Sequence, residues 1–346
     1  MDIMTDEEKK AETALLKRLY NAADLAAGLR LWETFCEVDI CEIYLKDGRE
    51  PYYCSIQGMF EDEHSISVYA GHDGLVSLSN YINGAELPDY VETSRKNCLE
   101  CSWVSRGGLR RRDLAQIKAA GRKYRGAGAW PLFRHFETGC EPYYLDDDQM
   151  EILTLVLEEL CRGFQEMKQE GQLEKTEEGA RLRRMYDREK DCWVNDLLAP
   201  IEKIEAVSDG CLITDELLIR RLRKKPVNGC SLEFDMPYLP VRNGLTDDRG
   251  RSRLQRLCIL CDSDKGSVEQ QYFLTPVDDP RDVALGMLVN YIEEKGRPVT
   301  VYIRNTELYG IAGHLCSETG VELCLSNMLN MLDFFVEDII EQFEQK

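Results

Sequence analysis

Apolar and polar positions along this chain recur with two periods, one of two residues and one near 3.6, and their order predicts the elements. Helical spacing predicts a helix over residues 7–19 that resumes, after a break, over 25–35. Strand-like runs follow at 40–45, 52–57 and 64–70, with Asp47-Gly48 as a turn signal between the first two. Gly71-His72-Asp73-Gly74 interrupts the chain before a helix over 75–82. Residues 89–120 read as helical, broken at Gly107-Gly108, and 121–128 as a basic, glycine-rich connector. Asp146, Asp147 and Asp148 then offer N-caps to a strong helix that buries Ile152, Leu153, Val156, Leu157, Leu160 and Phe164.

A polar stretch twice broken by glycine, between residues 166 and 178, predicts a domain boundary. Beyond an ambiguous bridge with a basic run at 220–225, strand-like runs occupy 231–238, 254–261 and 268–274. Residues 242–253 read as a polar, disordered loop tip. A helix, a strand at 299–303, a second helix, a strand at 321–325 and a closing helix complete the chain. Leu308, Ile311, Ala312, Leu315 and Cys316 mark one face of that second helix, and Gly320 its stop. The expected fold class is α+β. An N-terminal domain (1–170) has an antiparallel sheet with helices, a bridge covers 171–228, and a mixed-sheet domain covers 229–346.

The length, 346 residues, suits two domains that each bury a core. No apolar run approaches a membrane span and the start, MDIMTDEEKK, is acidic and polar, so a cytoplasmic protein without a membrane partner is expected. Fourteen scattered cysteines, many in apolar runs, read as reduced core thiols. Charge changes the picture more. Eleven basic and two acidic residues lie between Arg95 and His135, a local +9 in a chain of −20, so the remainder carries −29. Such a body repels polyanions at long range, which disfavours nucleic acid as a partner.

Phosphate-loop, nucleophile-elbow and zinc-protease motifs are missing, and Gly126-Ala127-Gly128 lacks the third glycine of a dinucleotide loop. No cofactor is expected. Cys98/Cys101 and Cys258/Cys261 have finger spacing, but the pairs are far apart, and strand alternation would turn Cys258 and Cys261 to opposite faces, so no metal site is expected. The basic island offers anion-binding candidates instead: Arg111, Arg112, Arg122, Lys123, Arg125 and Arg134, with Tyr124, Trp130, Phe133 and Phe136 interleaved. The alternative is internal neutralisation of acids by these cations, with the aromatics in the core.

YYCSIQG (52–58), VYAGHDGL (68–75), YRGAGAWPLFRHFETGCEPYYLD (124–146) and RPVTVYIRN (297–305) together resemble a family of bacterial intracellular proteins built from two domains of unknown function. The resemblance spans about residues 25–332 and implies an architecture without a substrate. The C-terminal half also resembles integrase-type members of the ribonuclease-H-like group. LEFDMPYLP (232–240) matches their first strand, RLCILCDSDKG (256–266) and VEQQYFL (268–274) their second and third, and residues 299–323 their fourth strand, second helix and fifth strand. Catalytic members carry metal-binding carboxylates on strands one and four. Here Asp235 stands on the first, but the fourth ends in Arg304-Asn305. The resemblance thus implies the fold and an incomplete acid set, with no catalytic residues assigned. The expected role is a non-enzymatic binding or regulatory protein for another protein or an anionic ligand. One alternative is a metal-dependent phosphodiesterase or nuclease using Asp235 with Glu337 or Glu341; another is nucleic-acid or anion binding through the island.

Overall fold

The structure, a computed structural model, describes residues 6–46, 48–59, 63–82, 87–173, 181–200, 210–247 and 250–344. Asp47 of the expected turn and part of the 166–178 boundary lie outside the described residues. The chain divides into two compact units. The first holds residues 1–83, 96–137 and 142–204, and the second 84–95, 138–141 and 205–346.

In the first unit, α1 (Asp6–Leu29) precedes β1 (Ile40–Ile43), β2 (Tyr52–Gln57), β3 (His64–Ala70) and α2 (Gly71–Ile82). The expected break in α1 does not occur, because Tyr20, Ala22 and Ala23 are buried and continue its apolar face. The next helix, α3 (Asp89–Arg95), belongs to the second unit; the first unit resumes with β4 (Cys98–Val104), α4 (Arg111–Ala119), β5 (Trp130–Phe136) and α5 (Asp147–Gln169). Residues 98–104, expected to be helical, form a strand hydrogen-bonded on both sides. Cys98 faces one side of the sheet while Cys101 and Trp103 face the other. Asp146 is the working N-cap of α5. It accepts from Gln149 N–H at 2.9 Å, and the Gln149 side chain accepts from Asp146 N–H at 3.1 Å.

β6 (Arg181–Asp187) and β7 (Cys192–Leu198) come from the stretch that the sequence placed in the bridge, and they complete a seven-stranded sheet of order β5-β4-β3-β2-β1-β6-β7. The expected antiparallel pairing holds from β5 to β1, but β1 and β6 run parallel, so the sheet is mixed. Its main core lies between one face and α1 with α5, where Cys41, Ile43, Cys54, Ile56 and Ile66 meet Leu19, Tyr20, Ala23, Leu153, Leu157 and Phe164. The opposite face buries Ile40, Tyr53, Tyr69 and Cys98 around Leu78 of α2.

The second unit continues with α6 (Glu216–Arg223), β8 (Ser231–Asp235), β9 (Tyr238–Thr246), β10 (Ser252–Asp262) and β11 (Ser267–Phe273). Then follow α7 (Pro280–Lys295), β12 (Thr300–Ile303), α8 (Thr306–Thr319), β13 (Glu322–Leu325) and α9 (Asn330–Glu344). The sheet order is β11-β10-β8-β12-β13, with β8, β12 and β13 parallel and β10 antiparallel to both neighbours. That is the order and direction of a ribonuclease-H-like sheet. Residues 242–253 do not form a loop throughout. β9 runs through Thr246 and pairs with β10 from Ser252, at the cost of two register irregularities, with Gly244 in the left-handed region (φ 76°).

Strand alternation sorts the residues of this sheet into two layers. Leu232, Phe234, Cys258, Leu260, Val301 and Ile303 pack against the layer of α6, α7 and α8. Leu257, Ile259 and Cys261 face the other way, with Leu329, Leu332 and Val336 around α9 and Leu87, Tyr90 and Val91 around α3. Cys258 and Cys261 therefore lie on opposite faces, as alternation requires.

Candidate functional site

Asp235 closes β8 on the α9 side of the sheet and is 3% exposed. Where a fourth-strand carboxylate would stand, Arg304 leaves β12 and turns its fully buried guanidinium back toward Asp235, with Nη1 3.4 Å from Oδ2. Its strongest partner is Asp333, in the first turn of α9, which accepts from Nη2 at 2.8 and 2.6 Å. Nε donates to the Asn327 carbonyl at 3.1 Å, and Nη1 also reaches the Tyr90 hydroxyl at 3.4 Å. Tyr90 in turn donates to Asp333 at 2.6 Å. Burial opposes the guanidinium charge, yet Asp235 and Asp333 outweigh it and hold Arg304 above its ordinary pKa. Burial first, then the bond to Asp333, pushes the Tyr90 phenol up as well.

Each residue of the Arg304-Asn305 pair thus has a structural task. Arg304 delivers a positive charge beside one buried and one half-buried carboxylate, and Asn305 caps α8 by accepting from Glu307 N–H at 2.8 Å. Glu233, two residues before Asp235, points to the same layer, and its carboxylate accepts from Leu332 N–H at 2.8 Å. Burial pushes its carboxyl up, against the pull of the Leu332 N–H. Glu337 and Glu341, the α9 acids sought from the sequence, are exposed; the acid that α9 turns inward is Asp333. Among the described residues, no three His, Cys, Asp or Glu side chains are arranged to hold a metal ion. A cation entering here would have to displace a buried guanidinium bonded to four groups. Asp262 is also fully buried. Burial raises its carboxyl, but the hydrogen bonds from the Lys265 side chain (2.6 Å) and N–H more than offset this and hold it below the usual range.

The six anion-binding candidates divide. Arg134 is buried in a two-pronged pair with Asp113, both distances 2.9 Å, and lies 4.5 Å from the Tyr144 ring centroid. Its fork is spent within the fold. Arg122 pairs with Asp24 at 3.3 Å and hydrogen-bonds Asn21, while Arg112 is exposed above Tyr144 at 4.2 Å. Arg111, Lys123 and Arg125 are exposed, and none forms an ion pair among the described residues. The interleaved aromatics go to the core side: Tyr124 and Trp130 are half-buried, and Phe133 packs edge-on against Tyr20 at 5.0 Å. No motif in the sequence marks Arg184, the largest fully buried side chain among the described residues. It bonds Glu159 at 2.8 Å, Glu166 at 2.7 Å and Asn195 at 2.9 Å beneath the Trp193 ring.

Comparisons with known proteins agree with this architecture. Residues 17–184 match the family model described as Domain of unknown function (DUF7309), and residues 218–340 match Domain of unknown function (DUF6930). No curated protein matches the chain. Among solved structures, one chain of the simian T-cell lymphotropic virus intasome in complex with the PP2A regulatory subunit B56 gamma is similar at 18% identity and a TM-score of 0.26. That match covers 36% of this chain and 44% of the other, and the fold assignment rests on strand order instead. The chain accordingly carries a DUF7309 match followed by a DUF6930 match, and the sheet within the second has the strand order of the ribonuclease-H-like fold.

Proposed function

We propose that this protein binds without cutting: a cytoplasmic, non-enzymatic binding or regulatory protein that keeps the ribonuclease-H-like sheet as a scaffold. The observation that carries this reading is the buried guanidinium of Arg304 between Asp235 and Asp333. Two-metal phosphoryl transfer needs carboxylates free to converge on cations about 4 Å apart. Here one acid position is an arginine and the remaining acids are its counter-ions. Calorimetric titration of the full chain with Mn²⁺, paired with a phosphodiester hydrolysis assay, tests the reading. The expected result is no turnover and no saturable binding sensitive to Asp235→Asn. Hydrolysis that Asp235→Asn abolishes would establish the nuclease alternative.

A second observation favours an anionic partner. Arg111, Arg112, Lys118, Lys123 and Arg125 face solvent, and Arg111 and Lys118, seven apart, share one face of α4. The −29 remainder of the chain favours a compact anion over a long polyanion such as nucleic acid. Retention on a heparin column, compared between the parent chain and a Lys123→Ala/Arg125→Ala variant, reads this directly. Earlier elution of the variant is expected, and unchanged elution would remove the island as the contact.

A further inference from the structure

The stretch leading into β8 and the turn between β10 and β11 are joined by their backbones. Ser263 donates to the Ser231 carbonyl from both N–H (3.0 Å) and Oγ (2.8 Å), and Asp264 accepts from Ser231 N–H at 2.9 Å. Asn228 fixes the neighbouring residue by accepting from Cys230 N–H at 3.0 Å. These bonds bring together two side chains 35 residues apart: Lys265 Nζ lies 3.3 Å from Cys230 Sγ. The amine does not swing freely. Buried Asp262 holds the same Nζ at 2.6 Å while accepting from the N–H groups of Asp264 and Lys265 at 3.0 and 2.9 Å. Cys230 is half-buried and the Lys265 side chain is 62% exposed, so a small oxidant can reach the pair.

We propose that Cys230 and Lys265 form a reversible sulfur–nitrogen cross-link when the protein meets a peroxide. In the first step, the sulfur of Cys230 takes one oxygen from hydrogen peroxide; the thiol becomes a sulfenic acid and the peroxide leaves as water. In the second, Lys265 Nζ, once it has passed a proton to solvent, attacks that sulfur with the lone pair so freed and the S–O bond breaks. Of the two protons the ammonium gives up, one leaves with the hydroxyl as water and the other passes to solvent. The product is a sulfenamide. Two equivalents of an external thiol reverse it, returning Cys230 thiol and Lys265 amine with one external disulfide. The thiol and its attacking amine are already in contact, so the second step needs no rearrangement of the sheet. The link would tie the entry of β8 to the β10–β11 turn, two neighbouring points on the sheet that carries Asp235 and Arg304.

The test treats the full chain with hydrogen peroxide and maps it by mass spectrometry after digestion under non-reducing conditions. The expected species joins the Cys230 and Lys265 peptides, about 2 Da lighter than their sum, and disappears with dithiothreitol. Lys265→Arg keeps a cation for Asp262 but lacks the amine nucleophile. In that variant the joined species should vanish, and Cys230 should instead be trapped as sulfenic acid by dimedone. Cys230→Ser should abolish both signals without altering the melting temperature. Three results would overturn the proposal: no oxidation of Cys230, oxidation with the same products in parent and Lys265→Arg, or a link carrying an extra oxygen, about 14 Da heavier than the separate peptides.

Discussion

Arg304, at the end of β12, and Asp333, in the first turn of α9, share two hydrogen bonds of 2.8 and 2.6 Å, and the arginine side chain is fully buried. Removing one partner of such a pair leaves an uncompensated charge in the interior, typically at about 3–5 kcal/mol. Arg304→Ala is therefore expected to lower unfolding free energy by about that amount in urea titrations. Arg304→Lys should recover only part of it, because an ammonium cannot reproduce the planar fork.

The same reasoning separates members of the basic island. Arg134→Ala breaks a buried pair with Asp113 and should cost about 3–5 kcal/mol in the same measurement. Lys123→Ala and Arg125→Ala remove exposed charges and should stay within about 0.5 kcal/mol of the parent. A large loss in the second pair would show that these side chains have a structural task.

Glu233 makes stability depend on pH in an unusual direction for a carboxylate. Burial raises its folded-state pKa above the unfolded value, so the folded chain keeps this proton to higher pH. The stability it contributes is full below the unfolded pKa and is lost as pH rises through the folded one. Glu233→Gln, which can still accept from Leu332 N–H, should match the parent near about pH 4 and melt at higher temperature near about pH 7. A variant that melts lower at neutral pH would mean that Leu332 N–H and Arg304 favour the charged form more than burial opposes it.

Tyr90 connects α3 to the Arg304 cluster through its hydroxyl, 2.6 Å from Asp333. Tyr90→Phe retains the buried ring and removes this bond to a charged acceptor, worth about 1.5–3 kcal/mol, together with the longer contact from Arg304 Nη1 (3.4 Å). A loss in that range by denaturant titration is expected, and hydrogen exchange should report it first at the start of α9.

The order of elements in the second half was legible because apolar runs bounded by turns alternate there with helical faces such as Leu308, Ile311 and Leu315. The resemblance to ribonuclease-H-like enzymes, and not the pattern itself, marked Arg304 as the residue in the acid position, although not its partner Asp333, since only folding brings α9 to the end of β12. Cys98–Val104 was misread as helical although Leu99, Cys101 and Trp103 alternate with Glu100 and Ser102; Glu100, on the polar side of that alternation, is buried with Ser67 (3.0 Å) and Lys96 (3.2 Å) as its partners. The hairpin of β9 and β10 was hidden by Arg242, Asn243 and Gly244, whose strand conformation comes from pairing and not from propensity. Arg134 looked available because sequence alone does not set β5 beside α4, where Asp113 waits for it.

A contact spanning 243 residues, Tyr90 to Asp333, governs when the second unit can finish folding. On a ribosome adding about 5–20 residues per second, α3 emerges roughly 12–50 s before the turn of α9 that receives it. Throughout that interval Leu87, Tyr90 and Val91 lack their native neighbours Leu332 and Val336. The nascent chain thus carries a sticky apolar segment through most of its own synthesis, and conditions that slow translation or deplete chaperones should lower its soluble yield.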